Sequence, residues 1–239
     1  MEQNSTLWII ISILISGAMI STAIVINGSA QPQEQISEGG QNPNVPQEAS
    51  LPDAIEILDQ DPYQGNKDEA SIGIIEFSDY QCPFCNTFHN EARKDLKEDY
   101  VDTGEAVVVW KDLPQQGQKS VDYAVAAQCV GKDAGNEGYF DYSDRLYSAI
   151  HEENSSLNEE GLLDLAEEVG ANREAVASCY QDREIQEFVN SNMDLAHEFG
   201  IRGTPGIVIG KLEDGQLIDP VHIPGAQPIS VFEEAIDNL

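Results

Sequence analysis

The sequence predicts an α/β domain interrupted by an all-helical lobe and preceded by one N-terminal transmembrane helix. Three observations carry this reading. An apolar, β-branched run from Ile72 to Phe77 leads through a short turn to Cys82 and Cys85. A long stretch of helical periodicity separates two groups of strand-like segments, and Leu7 to Ile26 contains no charged residue.

At 1.5 Å per residue, the apolar stretch 7–26 matches a bilayer core of about 30 Å. Residues 1–26 are therefore expected to form a short cytoplasmic stub and an uncleaved anchor. A cleavable signal peptide is the rival reading, since Gly28-Ser29-Ala30 offers small residues to a peptidase. Against it, the apolar region exceeds the usual ~7 to 15 residues and no Lys or Arg precedes it. The first basic residue is Lys67, so the positive-inside rule cannot set the orientation. Residues 27–50, rich in Gln, Pro, Ser, Gly, Asn and Glu and free of aromatic side chains, read as a disordered linker.

The remaining segment, 51–239, is long enough for one compact domain. Ile72 to Phe77 reads as a central strand buried on both faces. Ser78 to Gln81 is a turn, and Pro83 suits the first position of a helix because its fixed φ fits and its missing N–H has no partner there. Cys85, Phe88, Ala92 and Leu96 recur at helical spacing and predict a helix over about 83–99. Ala106 to Trp110 is a second buried strand. An insertion at about 115–200 then follows helical periods: Val121, Val125 and Cys129; Tyr139 to Ile150; Leu162, Leu165, Ala166 and Val169; Val176, Cys179 and Tyr180; Ile185, Phe188, Val189, Ala196 and Phe199. Strands return at Ile207 to Ile209 and about Gln216 to Val221, and Ile229 to Leu239 closes the chain with an amphipathic helix.

Cys82 stands at the start of its helix, where free N–H groups and the dipole favour a thiolate. The size of the effect decides reactivity, because a thiol with pKa about 8.5 is only a few per cent ionised at neutral pH and one near about 4 almost wholly so. The more exposed Cys82 would be attacked by a substrate thiolate, with Cys85 as leaving and resolving sulfur. A structural or zinc-binding pair is the alternative. A closed zinc site needs four ligands, and His89, four residues past Cys85, offers only a third. His89 is expected to be an ordinary polar helix residue, and no metal or cofactor is assigned.

Cys82-Pro83-Phe84-Cys85, placed after a strand ending Glu-Phe-Ser-Asp-Tyr, with Gly203-Thr204-Pro205 far downstream and Gly225-Ala-Gln-Pro228 before the last helix, resembles the DsbA-like thiol-disulfide oxidoreductases. The resemblance runs from about Asp61 to the C-terminus and implies a thioredoxin fold with a helical insertion. It implies that Thr204-Pro205 is a cis-proline loop lying against the active-site sulfurs and offering backbone hydrogen bonds to an extended peptide. It implies that Glu76, six residues before Cys82, assists proton transfer to or from Cys85 with a raised pKa; a partly solvated strand-end carboxylate is the rival. It also suggests that Cys129 and Cys179 bond to each other, against a reading as two buried free thiols. Such a bridge behind an anchor would place the domain on the oxidising side of the cell membrane.

The chain holds 43 Asp and Glu against 12 Lys and Arg, a formal net charge of -31. Nucleic acid and anionic lipid surfaces are unsuitable partners for such a balance. The acids are spread along the chain, which suggests work in high salt, where at about 1 M the Debye length falls to about 3 Å and self-repulsion is screened; an ordinary acidic exported protein is the alternative. The functional expectation is a membrane-tethered oxidase forming disulfides in reduced exported proteins. The resemblance implies a quinone-linked membrane partner of the DsbB or vitamin K epoxide reductase type. A reductase or isomerase would use the same residues, and a redox-inert chaperone or binding module would not need Cys82.

Overall fold

A computed structural model describes residues 51–239. The expected anchor at 7–26 and linker at 27–50 lie outside the described residues. Among the described residues, no helix is long and apolar enough to cross a membrane.

The chain enters through two short strands that the apolar pattern does not mark, β1 (Ala54–Glu56) and β2 (Tyr63–Gln64). β3 (Ile72–Ser78) follows and is buried along nearly its whole length. α1 (Pro83–Asn90) and α2 (Ala92–Leu96) come next, continued by a π-helical turn over Lys97–Val101. β4 (Ala106–Asp112) precedes four helices: α3 (Gln118–Tyr147), α4 (Glu159–Glu168), α5 (Arg173–Tyr180) and α6 (Arg183–Glu198). β5 (Gly206–Glu213), β6 (Gln216–Pro224) and α7 (Ile229–Asp237) complete the domain.

The six strands form one sheet in the order β1-β6-β5-β3-β4-β2. β3 runs parallel to β4, as a strand followed by a crossover helix must, and antiparallel to β5. This is a thioredoxin fold with a helical lobe inserted between β4 and β5. Successive β3 residues point to opposite faces: Ile74 packs with Phe88, Ala92 and Leu96, and Ile75 and Phe77 pack with Phe199, Ile201 and Val208. The lobe has its own core around Trp110, Tyr139, Tyr142 and Leu162. Cys129 of α3 and Cys179 of α5 are joined by a disulfide within it. Buried Asp112 fastens the lobe to the sheet, accepting hydrogen bonds from Trp110 Nε1 at 2.9 Å and Gln128 Nε2 at 2.6 Å.

One helix differs from the expectation. The helix read as continuous over 83–99 breaks at Glu91, whose φ of -116° and ψ of -101° are non-helical. No Pro or Gly announces the break. Packing imposes it, since both Phe88 and His89 before it and Ala92, Arg93 and Leu96 after it are buried. The segments read as separate helices, 121–129 and 139–150, are divided within α3 at Gly135, whose φ of 73° and ψ of -170° are non-helical, a region glycine enters without steric cost.

Candidate active site

β3, the turn after it and the first turn of α1 build the site. Cys82 is the N-cap of α1 in an extended conformation, with Pro83 following at the first helical position. Its Sγ accepts the Cys85 N–H at 3.3 Å, one of the helix-terminal donors that lack an intrahelical partner. As a thiol it donates to the Thr204 carbonyl at 3.4 Å. The Thr204-Pro205 peptide bond is cis, and the contacts of Cys82 with Cys85 and Thr204 bring these residues and Pro205 to one place. The Gly225 N–H donates to the Pro205 carbonyl at 2.8 Å, which ties the Gly225-Ala-Gln-Pro228 segment to the same loop.

The two sulfurs, both free thiols here, differ in acidity. The Cys82 pKa is lowered from 9.0 to about 6, mainly by hydrogen bonding from the Cys85 thiol, with help from the Thr204 side chain and the Cys85 and Phe84 amides, against the opposing effect of burial. Cys85 is pushed up strongly, by burial first and then by Cys82. One sulfur is ionised at neutral pH while the other holds its proton. Phe84, between them, is 65% exposed and gives the rim an apolar face.

Glu76 is fully buried on the Ile74 face of β3. Its Oε2 lies 3.2 Å from Arg93 Nε, and its pKa is raised because burial outweighs the attraction of Arg93 and His89. Sequence reasoning placed Glu76 in apolar surroundings and missed its partner. Arg93 lies beyond the break at Glu91, and no spacing in the chain signals its approach to Glu76. His89 is a polar residue of α1, and buried; its Nε2 lies 3.1 Å from Asp144 Oδ1 and its ring is 4.4 Å from that of Tyr147. Tyr147 in turn shares a hydrogen bond of 3.1 Å with Ser78. The polar floor beneath Cys85 thus combines β3, α1, α2 and α3.

A thiolate at a helix N-terminus, a protonated partner one turn inward and a cis-proline loop against them, carried on this fold, define a protein thiol-disulfide oxidoreductase. A family model described as Thioredoxin matches residues 58–222, and the chain belongs to that family. Probable disulfide bond formation protein D of Bacillus anthracis is 26% identical over 157 residues, covering 64% of this chain and 70% of that protein. Disulfide bond formation protein D of Bacillus subtilis is 26% identical over 145 residues, covering 60% of this chain and 65% of that protein. Among solved structures, oxidised BdbD from Bacillus subtilis superposes with a TM-score of 0.68 at 21% identity, over 80% of this chain and 98% of that one. DsbA2 from Pseudomonas aeruginosa gives 0.63 at 26% identity, over 76% and 96%.

Proposed function

We propose that this protein is a membrane-anchored, extracytoplasmic oxidase that introduces disulfides into reduced exported proteins through Cys82 and Cys85. The observation that supports it best is the opposed acidity of the two thiols, with Cys82 lowered to about 6. A stabilised thiolate favours the reduced form of the pair, which makes its disulfide a stronger oxidant.

In the reaction a substrate thiolate attacks Cys82 Sγ of the Cys82–Cys85 disulfide, and Cys85 leaves with the electron pair. Burial makes the Cys85 thiolate costly, so it takes a proton, for which Glu76 is the proposed donor. A second substrate thiolate attacks the substrate sulfur of the mixed disulfide, and Cys82 leaves as its stable thiolate. Two electrons have passed from the substrate dithiol to the pair. During the exchange Thr204 and Pro205 hold the substrate backbone, and the Cys129–Cys179 disulfide has a structural role. Reoxidation would fall to a quinone-linked membrane partner of the DsbB or vitamin K epoxide reductase type, met at the surface to which residues 7–26 anchor the domain.

The deciding measurement is the reduction potential of the pair in glutathione buffers, followed by alkylation and mass spectrometry. A value near about -120 mV supports disulfide donation, and one near about -270 mV turns the reading to a reductase.

A further inference from the structure

Asp79, in the turn between β3 and α1, is buried and has no part in the exchange chemistry. Its carboxylate accepts three backbone N–H groups: Gln81 to Oδ1 at 2.9 Å, and Gln115 and Gln116 to Oδ2 at 2.7 and 3.1 Å. The last two belong to the segment 114–117, which leaves β4 and enters α3. Gln81 Nε2 reinforces the junction, donating to the Gln116 carbonyl at 3.2 Å and Ser120 Oγ at 2.8 Å. Beyond it, Gln115 Nε2 donates to the Arg202 carbonyl at 3.1 Å, two residues before Thr204.

These contacts close a circuit through the reactive sulfur. Cys82 Sγ meets the Thr204 carbonyl at 3.4 Å, and the chain leads back from Thr204 to Arg202. Gln115 joins Arg202 to Asp79, and the Cys82 N–H returns to the Asp79 carbonyl at 3.0 Å. Gln115 and Gln116 are nevertheless exposed. A buried anion fixes their backbone from below and leaves their outer surfaces free.

We propose that the segment 114–117 is a wall of the polypeptide site beside Cys82, and that Asp79 is the positioning residue that holds it. The wall works by preorganisation: amides fixed before binding cost no ordering when an extended chain lies across them. A small thiol such as glutathione needs little beyond Cys82, whereas a polypeptide spans the wall and the cis-proline loop together. Asp79 thereby sets a preference for polypeptides over small thiols. This rests on the reading of Cys82 and Cys85 as the exchange pair.

The test compares Asp79→Ala and Gln115→Ala with the unaltered protein in two assays, exchange with glutathione and oxidation of a reduced two-cysteine peptide. Loss of a charge-assisted anchor should lower the peptide-to-glutathione rate ratio about tenfold in Asp79→Ala, through KM with kcat largely retained. Gln115→Ala keeps the buried anchor intact, removes only the link to Arg202, and should lower the ratio about threefold. Should Asp79→Ala fail to fold, Gln115→Ala decides alone. An unchanged ratio in the folded variants overturns the proposal, and so does a fall confined to kcat. Absence of glutathione exchange in the unaltered protein overturns the exchange reading itself, and the wall with it.

Discussion

Arg93 Nε lies 3.2 Å from Glu76 Oε2, with both side chains buried and no hydrogen bond aligned between them. The guanidinium spends another donor on Gln64 Oε1 at 2.8 Å and sits 5.1 Å from the centre of the Phe140 ring. It therefore offsets the burial of Glu76 only in part, and the carboxyl stays above its ordinary pKa. A group poised this way can hold a proton and can also give it up, as the role proposed for it toward Cys85 requires.

Removing the cation should expose that balance. Arg93→Met leaves Glu76 buried without its main counter-charge, a loss of about 3 to 5 kcal/mol when the carboxyl is ionised. Because the variant raises the folded-state pKa of Glu76 further, its stability is retained at low pH and lost as pH rises through that pKa. Denaturant unfolding at pH 5 and pH 8 should show a larger deficit at pH 8. An equal deficit at both would mean that packing, not charge, dominates.

The Cys82 pKa has a signature in the redox equilibrium. Below about pH 6 reduction takes up two protons with two electrons, and the potential should fall by about 59 mV per pH unit. Above it Cys82 stays ionised, one proton is taken up, and the slope should halve to about 30 mV. The sign for stability follows: a depressed folded-state pKa stabilises the reduced protein above the unfolded value of 9.0, and the contribution is lost as pH falls through about 6. Alkylation of the reduced protein should reach half its maximal rate near the same pH. A break near pH 8 in both measurements would contradict the lowered pKa.

The fold was legible wherever a local rule and the tertiary arrangement agreed. β3 shows as an apolar run because it is the buried central strand, and Cys82 with Pro83 marks a helix start by backbone chemistry alone. β1 and β2 were invisible because two or three residues, paired only by backbone with β6 and β4, leave no periodic pattern. The same limit applies to the site. The cysteines and Thr204-Pro205 are read from short motifs, whereas Arg93, Asp144 and Tyr147 reach the site from α2 and α3 through contacts that no spacing in the chain encodes. Asp79 was passed over because an acid in a turn is usually solvated, and only the fold shows three amides converging on it.

Salt should stabilise the domain, a consequence of the -31 net charge. The opposing case is concrete: partly exposed Arg173 meets Glu160, Asp164 and Glu167 at 2.6 to 2.7 Å, and salt weakens such attractions. Exposed pairs contribute about 0 to 1 kcal/mol each, and with only 12 cations for 43 acids repulsion dominates. The melting temperature should rise steadily from tens of millimolar to about 1 M KCl. A flat or falling curve would remove the case for a high-salt protein.

The Cys129–Cys179 bridge should matter for stability and leave the redox pair unaltered. It spans 50 residues of sequence, and opening such a loop releases denatured-state entropy worth about 4 kcal/mol. It joins α3 to α5 inside the lobe core, whereas the Cys82 thiolate takes its donors from Cys85, Phe84 and the Thr204 side chain. A Cys129→Ala, Cys179→Ala double variant should therefore lose several kcal/mol in denaturant while the Cys82–Cys85 potential moves by less than about 30 mV, a tenfold change in the two-electron equilibrium. A larger shift would mean that the lobe tunes the sulfurs through α3, whose Tyr147 hydroxyl meets Ser78 just below Cys85.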